Sequence, residues 1–131
     1  EAQNEAMSSW ALKFTIYSVN TKNDIDKVKD LYPYVNFIET EDTYIYKGKE
    51  LIKLNALLEA IKSSDKEYAC IVNSDIILNS SIDISDLLKN KYLDKGLIIA
   101  TRYELDGEKE PYPFTSGYDI FIFNKKNSHF N

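Results

Sequence analysis

The residues best placed to do chemistry cluster where an apolar run stops. Tyr68-Ala69-Cys70-Ile71-Val72 leads directly into Asn73-Ser74-Asp75 before the chain turns apolar again at Ile76-Ile77-Leu78. A short run with no polar face reads as a strand covered on both sides. A carboxylate at the carboxyl end of such a strand stands where open α/β sheets place ligands. A buried lone carboxylate is costly, so Asp75 needs a metal, a cluster of donors or water. Four further residues are candidates. Arg102 follows the apolar run Leu97-Ile98-Ile99-Ala100-Thr101, where a guanidinium can meet a diphosphate or a carboxylate, or pair structurally with Asp119 or Glu104. Asp119 opens the last apolar run behind Ser116-Gly117, facing a substrate or capping the loop. Lys53 and Asn55 lie on a helical pattern: Asn55 projects beside Leu51 and Leu58 and needs partners, whereas Lys53 points away from the apolar stripe.

The elements that must hold these residues alternate. Ala2, Ala6 and Trp10 recur at helical spacing, and Lys13 to Val19 is β-branched and aromatic, as in a strand. A helix capped by Asn23 or Asp24 runs to Pro33, and a strand covers residues 35–38. Tyr44 to Gly48 makes a connector. The pattern from Lys49 to Lys62 is helical, with Leu51, Leu54, Leu58 and Ile61 in one stripe. A Ser85-capped helix ends before Gly96, and strands follow at residues 97–101 and 118–123. Strands alternating with amphipathic helices predict an α/β fold of one domain over residues 1–131, with a single, mostly parallel sheet between helix layers.

Composition narrows the chemistry. A formal charge of −5 and a pI near 4.9 argue against nonspecific nucleic-acid binding and against an anionic membrane surface. No apolar run approaches the ~20 residues of a membrane span, there is no signal-peptide pattern, and a cytoplasmic location is expected. Cys70 is the only cysteine, so no internal disulfide forms, and its apolar setting suits a structural thiol. His129 is the only histidine, which argues against His-rich zinc sites and a Ser-His-Asp hydrolase. Walker A, Gly-x-Gly-x-x-Gly and Gly-x-Ser-x-Gly signatures are all missing.

What is left resembles the GT-A glycosyltransferases, nucleotide-diphospho-sugar transferases with a Rossmann-like sheet that ends in a short acidic motif. The similarity is strongest to a bacterial subgroup and spans nearly the whole chain. It rests on Gln3, Ala6 and Ser9-Trp10, then Lys53-Leu54-Asn55, Asn73-Ser74-Asp75-Ile76, Arg102-Tyr103, and Gly117-Tyr118-Asp119-Ile120-Phe121-Ile122-Phe123. The resemblance implies a nucleotide-sugar donor and an unknown acceptor. It implies that Asp75, with Asn73, holds Mn²⁺ or Mg²⁺ on the diphosphate, that Asn55 and Lys53 approach the nucleotide sugar, and that Arg102 and Asp119 line the donor or acceptor side. Asn73 stands where the family has an acid, and an amide oxygen is the weaker ligand. A strand before the first helix and the acceptor-side elements after the last strand have no counterpart, so the chain is expected to be partial at both ends. The alternative from another class is a non-catalytic α/β ligand-binding or interaction module with a degenerate site.

Overall fold

A computed structural model describes residues 2–79, 81–107 and 109–127. Ser80, Glu108 and the segment carrying His129 lie outside the described residues. The chain divides into two compact units, one formed by residues 1–9 with 66–131 and the other by residues 10–65. Helix α1 (Ala2–Ala11) opens the chain, and Ala6 is almost completely buried. No helix among the described residues is long and apolar enough to cross a membrane.

In the unit of residues 10–65, β1 (Tyr17–Asn20), α2 (Lys22–Val28) and β2 (Asn36–Glu39) form a strand-helix-strand segment with β1 and β2 parallel. Thr21 caps α2 by accepting a hydrogen bond from the Asp24 amide at 3.3 Å, upstream of the cap expected at Asn23 or Asp24. β3 (Thr43–Tyr46) and β4 (Lys49–Ile52) then pair as an antiparallel hairpin. The stretch Lys49–Ile52, expected at the start of a helix, is a strand for a local reason. Lys47 and Gly48 both take positive φ, +48° and +76°, the two-residue turn whose twist matches a hairpin. The helical stripe therefore starts later, in α3 (Leu54–Ser63), which lies against β1. Trp10, Val35 and Ala56 are the buried apolar residues of this unit.

The other unit is built on β5 (Tyr68–Val72), α4 (Ile84–Leu88), a 3₁₀ turn at Leu93–Lys95, β6 (Leu97–Ala100), β7 (Tyr103–Glu104), β8 (Tyr112–Pro113) and β9 (Ile120–Asn124). Asp83 caps α4 through the amides of Ser85 and Asp86, two residues before the expected cap. β9 is the central strand, antiparallel to β5 on one side and to β6 on the other, with Ile122 opposite both Cys70 and Ile98. β7 and β8 form a short antiparallel pair of their own. Leu93 is the one large side chain with 0% exposure among the described residues, in a turn that lies against β9 and β6.

This architecture corrects the expected one. The single mostly parallel sheet between helix layers, the Rossmann-like arrangement of the GT-A transferases, is not formed. Small separate sheets of two or three strands replace it, and β1–β2 is the only parallel pair among the described residues. The physical reason lies in β9. Its alternating Ile120-Phe121-Ile122-Phe123 pairs antiparallel with both apolar runs, so β5 and β6 never become neighbours. An apolar run without a polar face signals burial, and it does not specify the direction of its partner. Burial is itself partial: every residue of β5 is half-buried.

Leu93 packs against this sheet out of contact with solvent. Leu93→Ala should lower stability by about 2–5 kcal/mol, read as a lower urea midpoint at unchanged m.

Candidate functional site

The site forms where the three-stranded sheet ends. β5 stops at Val72, and the Asn73 amide donates to the Asp119 carbonyl at 3.4 Å. The Asp119 amide in turn donates to the Ala100 carbonyl at 3.1 Å, so the backbone of Asp119 bridges the ends of β5 and β6. Its side chain is only 5% exposed. A carboxylate so placed must collect donors, and two converge on one oxygen: Asn73 Nδ2 at 3.0 Å and Arg102 Nη1 at 2.5 Å both donate to Asp119 Oδ1. Asp119 Oδ2 is buried with no hydrogen-bond partner among the described residues.

Arg102 is held from every side. Its Nε and Nη2 donate to Glu104 Oε1 at 2.8 and 2.5 Å, and its guanidinium lies 3.9 Å from the centre of the Phe114 ring. Phe114 is fixed by backbone contact, its amide donating to the Arg102 carbonyl and its carbonyl accepting from Thr101 Oγ1. Glu104 first, then Asp119, raise the guanidinium's pKa above its ordinary high value. The pairing of Arg102 with Asp119 and Glu104 anticipated as one alternative is thus present, with both carboxylates engaged at once. Phe114, twelve residues beyond Arg102, carries no sequence signal that points to this contact.

Between Asn73 and Ile76 the chain makes a tight turn, closed by the Ile76 amide donating to the Asn73 carbonyl at 3.2 Å. Ser74 and Asp75 occupy its corners and are exposed, whereas Ile76 and Leu78 are buried. Helix α1 reaches the same segment. Gln3 Nε2 donates to Ser74 Oγ at 3.4 Å, and Ser9 Oγ accepts from the Leu78 amide at 2.8 Å while donating to the Ala6 carbonyl at 2.6 Å. Asp75 therefore does not carry the cost of burial that its place after an apolar strand suggested. Asp119 carries it instead.

Lys53 and Asn55 belong to the other unit. Lys53 Nζ pairs with Asp42 Oδ1 at 2.8 Å, and the Lys53 amide donates to the Asp42 carbonyl at 3.0 Å. Lys53 foremost, with a smaller contribution from Asn55, lowers the pKa of the Asp42 carboxyl below its usual value. Together they clasp the loop before β3 to the start of α3. Asp42 was not among the candidate residues, although an acidic loop followed by a lysine and an asparagine was there to be read. Cys70, on β5, has its thiol pushed up to about 12 by burial, which keeps it protonated and inert at neutral pH.

Among the described residues no group of three or more His, Cys, Asp and Glu side chains is assembled for a metal ion. Asn73 donates its amide nitrogen to Asp119. An acid at position 73 would set two carboxylates about a hydrogen bond apart, one of them buried, and like charges so close disfavour ionisation. The amide at this position is what the neighbouring carboxylate requires. Asn73 and Asp75 thus present one amide and one exposed carboxylate on a turn.

No protein family, characterised protein or solved structure matches this chain. Function must accordingly be argued from the site itself.

Asn73→Asp should destabilise the protein by about 1–3 kcal/mol at neutral pH, through a lost hydrogen bond and like-charge repulsion. The deficit should shrink on acidification through the carboxylate range, because protonating either acid removes the repulsion. Chemical unfolding at several pH values checks this. Arg102→Met should cost more stability than Glu104→Gln, since only the former leaves the buried Asp119 without its cation.

Proposed function

We propose that the unit of residues 1–9 with 66–131 binds a nucleotide-diphospho-sugar at the Asn73–Asp75 turn, as a glycosyltransferase-like donor module. One observation carries the reading. Four stretches that the sequence resemblance picks out, separated by up to about a hundred residues, meet at one place: Gln3 and Ser9 on the 74–78 segment, and Asn73, Arg102 and Asp119 on one carboxylate oxygen. In this proposal Asp75 and Ser74 face the ligand, and the exposed Asp75 carboxylate accepts hydroxyl groups of the ribose or sugar. Tyr103 and Tyr118, both 66% exposed and adjacent in sequence to Arg102 and Asp119, offer rings for stacking. Arg102 and Asp119 act by shaping the turn. Lys53 and Asn55, committed to Asp42, have no assigned part in it. A cytoplasmic location belongs to the same proposal and accords with the single, protonated thiol. If the module transfers sugar, the base that activates the acceptor is not among the residues named here.

A second reading, a non-catalytic ligand-binding or interaction module, is favoured by Arg102. With both carboxylates on it, its charge is internally neutralised and offers a diphosphate little.

Titration of the chain with UDP and UDP-sugars, each with and without Mn²⁺, separates these readings. A donor site raises the unfolding temperature with ligand concentration, by about 2.7 kcal/mol of stabilisation at a hundredfold excess over Kd. Asp75→Ala should abolish that shift while leaving the unliganded transition in place. No shift with any nucleotide, or one indifferent to Asp75→Ala, rejects donor binding at this turn.

A further inference from the structure

We infer that α1 is a strap that sets the conformation of the Asn73–Leu78 segment, with Ser9 as its positioning residue; the consequence for binding rests on the function proposed above. The Ser9 hydroxyl is used in both directions, donating to the Ala6 carbonyl at 2.6 Å and accepting from the Leu78 amide at 2.8 Å. Backbonding of a serine within a helix ordinarily weakens the helix slightly, so a hydroxyl held in this way has its use elsewhere. That use is the Leu78 amide. Leu78 is buried, and a buried amide stripped of its acceptor is strongly disfavoured. Ala6, one turn before Ser9 on the same helix, is almost wholly buried.

The strap grips both ends of one segment. Gln3 touches Ser74 at the exposed corner, and Ser9 fixes Leu78 four residues on. Between them lie Asp75 and the buried Ile76. Without Ser9 the segment would trade its present path for others that hydrate the Leu78 amide. Apparent affinity for anything bound at Ser74–Asp75 would then fall by the fraction of molecules left in the competent conformation. Ser9 touches no ligand in this scheme and acts only through the segment.

The test uses the full chain, UDP as probe, and amide hydrogen exchange as a readout that needs no ligand. Ser9→Ala should speed exchange at Leu78 selectively, leave the β9 amides protected, and weaken UDP binding about fivefold. Ser9→Thr, which retains the hydroxyl, should restore both. Gln3→Ala should leave Leu78 protected, and it serves as the probe of the strap if Ser9→Ala does not fold, by loosening exchange around Ser74 alone. Unchanged Leu78 exchange in folded Ser9→Ala, or a fall in thermal stability with exchange and affinity both unmoved, overturns the inference. If the wild-type chain binds no UDP, the proposed function fails, and the exchange arm still decides whether α1 holds the segment.

Discussion

A single carboxylate governs this part of the molecule. Asp119 is nearly excluded from water at the end of a three-stranded sheet, and its charge dictates what can surround it. It draws Arg102 from the segment after β6 and the amide of Asn73 from the end of β5, so three distant stretches share one oxygen. Arg102 then recruits Glu104 and the Phe114 ring, which ties down the β7–β8 pair. The exposed Ser74–Asp75 corner is therefore mounted on a rigid base that it does not itself form. Low dielectric strengthens such a network when each member is satisfied, and makes the loss of one member expensive.

The same constraint explains the departure at position 73 from an acidic motif. Where a cation is to be held by paired acids, a second carboxylate is an asset. Where a buried carboxylate already sits one hydrogen bond away, it is a liability, and an amide that donates is the stable choice. Position 73 thus answers to its neighbour Asp119, to which its amide nitrogen donates.

Local features of the chain were legible from residues alone. Helical spacing marks α1 and α3, β-branched and aromatic runs mark β5, β6 and β9, and Arg102 was recognised as a partner for Asp119 or Glu104. Sheet pairing was not. The apolar runs 68–72 and 97–100 carry no record of which strand will separate them, because both pair with a strand far along the chain and the direction is settled by the connections. Burial was misassigned for a related reason. Asp75 follows the strand immediately and invited the expectation of a buried charge, yet the tight turn at Asn73–Ile76 swings it into solvent, while Asp119 arrives from another strand to take the buried position. Lys53, read from its motif alone, also has a partner the motif did not show, Asp42 eleven residues earlier.

The central claim is that Asn73 and Asp119 act as a coupled pair, one positioning the turn through the other. A double-mutant cycle with Asn73→Ala and Asp119→Ala, measured by chemical unfolding, tests it most directly. A hydrogen bond to a buried charge predicts a coupling energy of about 1–3 kcal/mol, with the double variant losing less than the two single losses together. Additivity within about 0.5 kcal/mol would contradict it, and would leave the turn and the buried carboxylate as independent features of the fold.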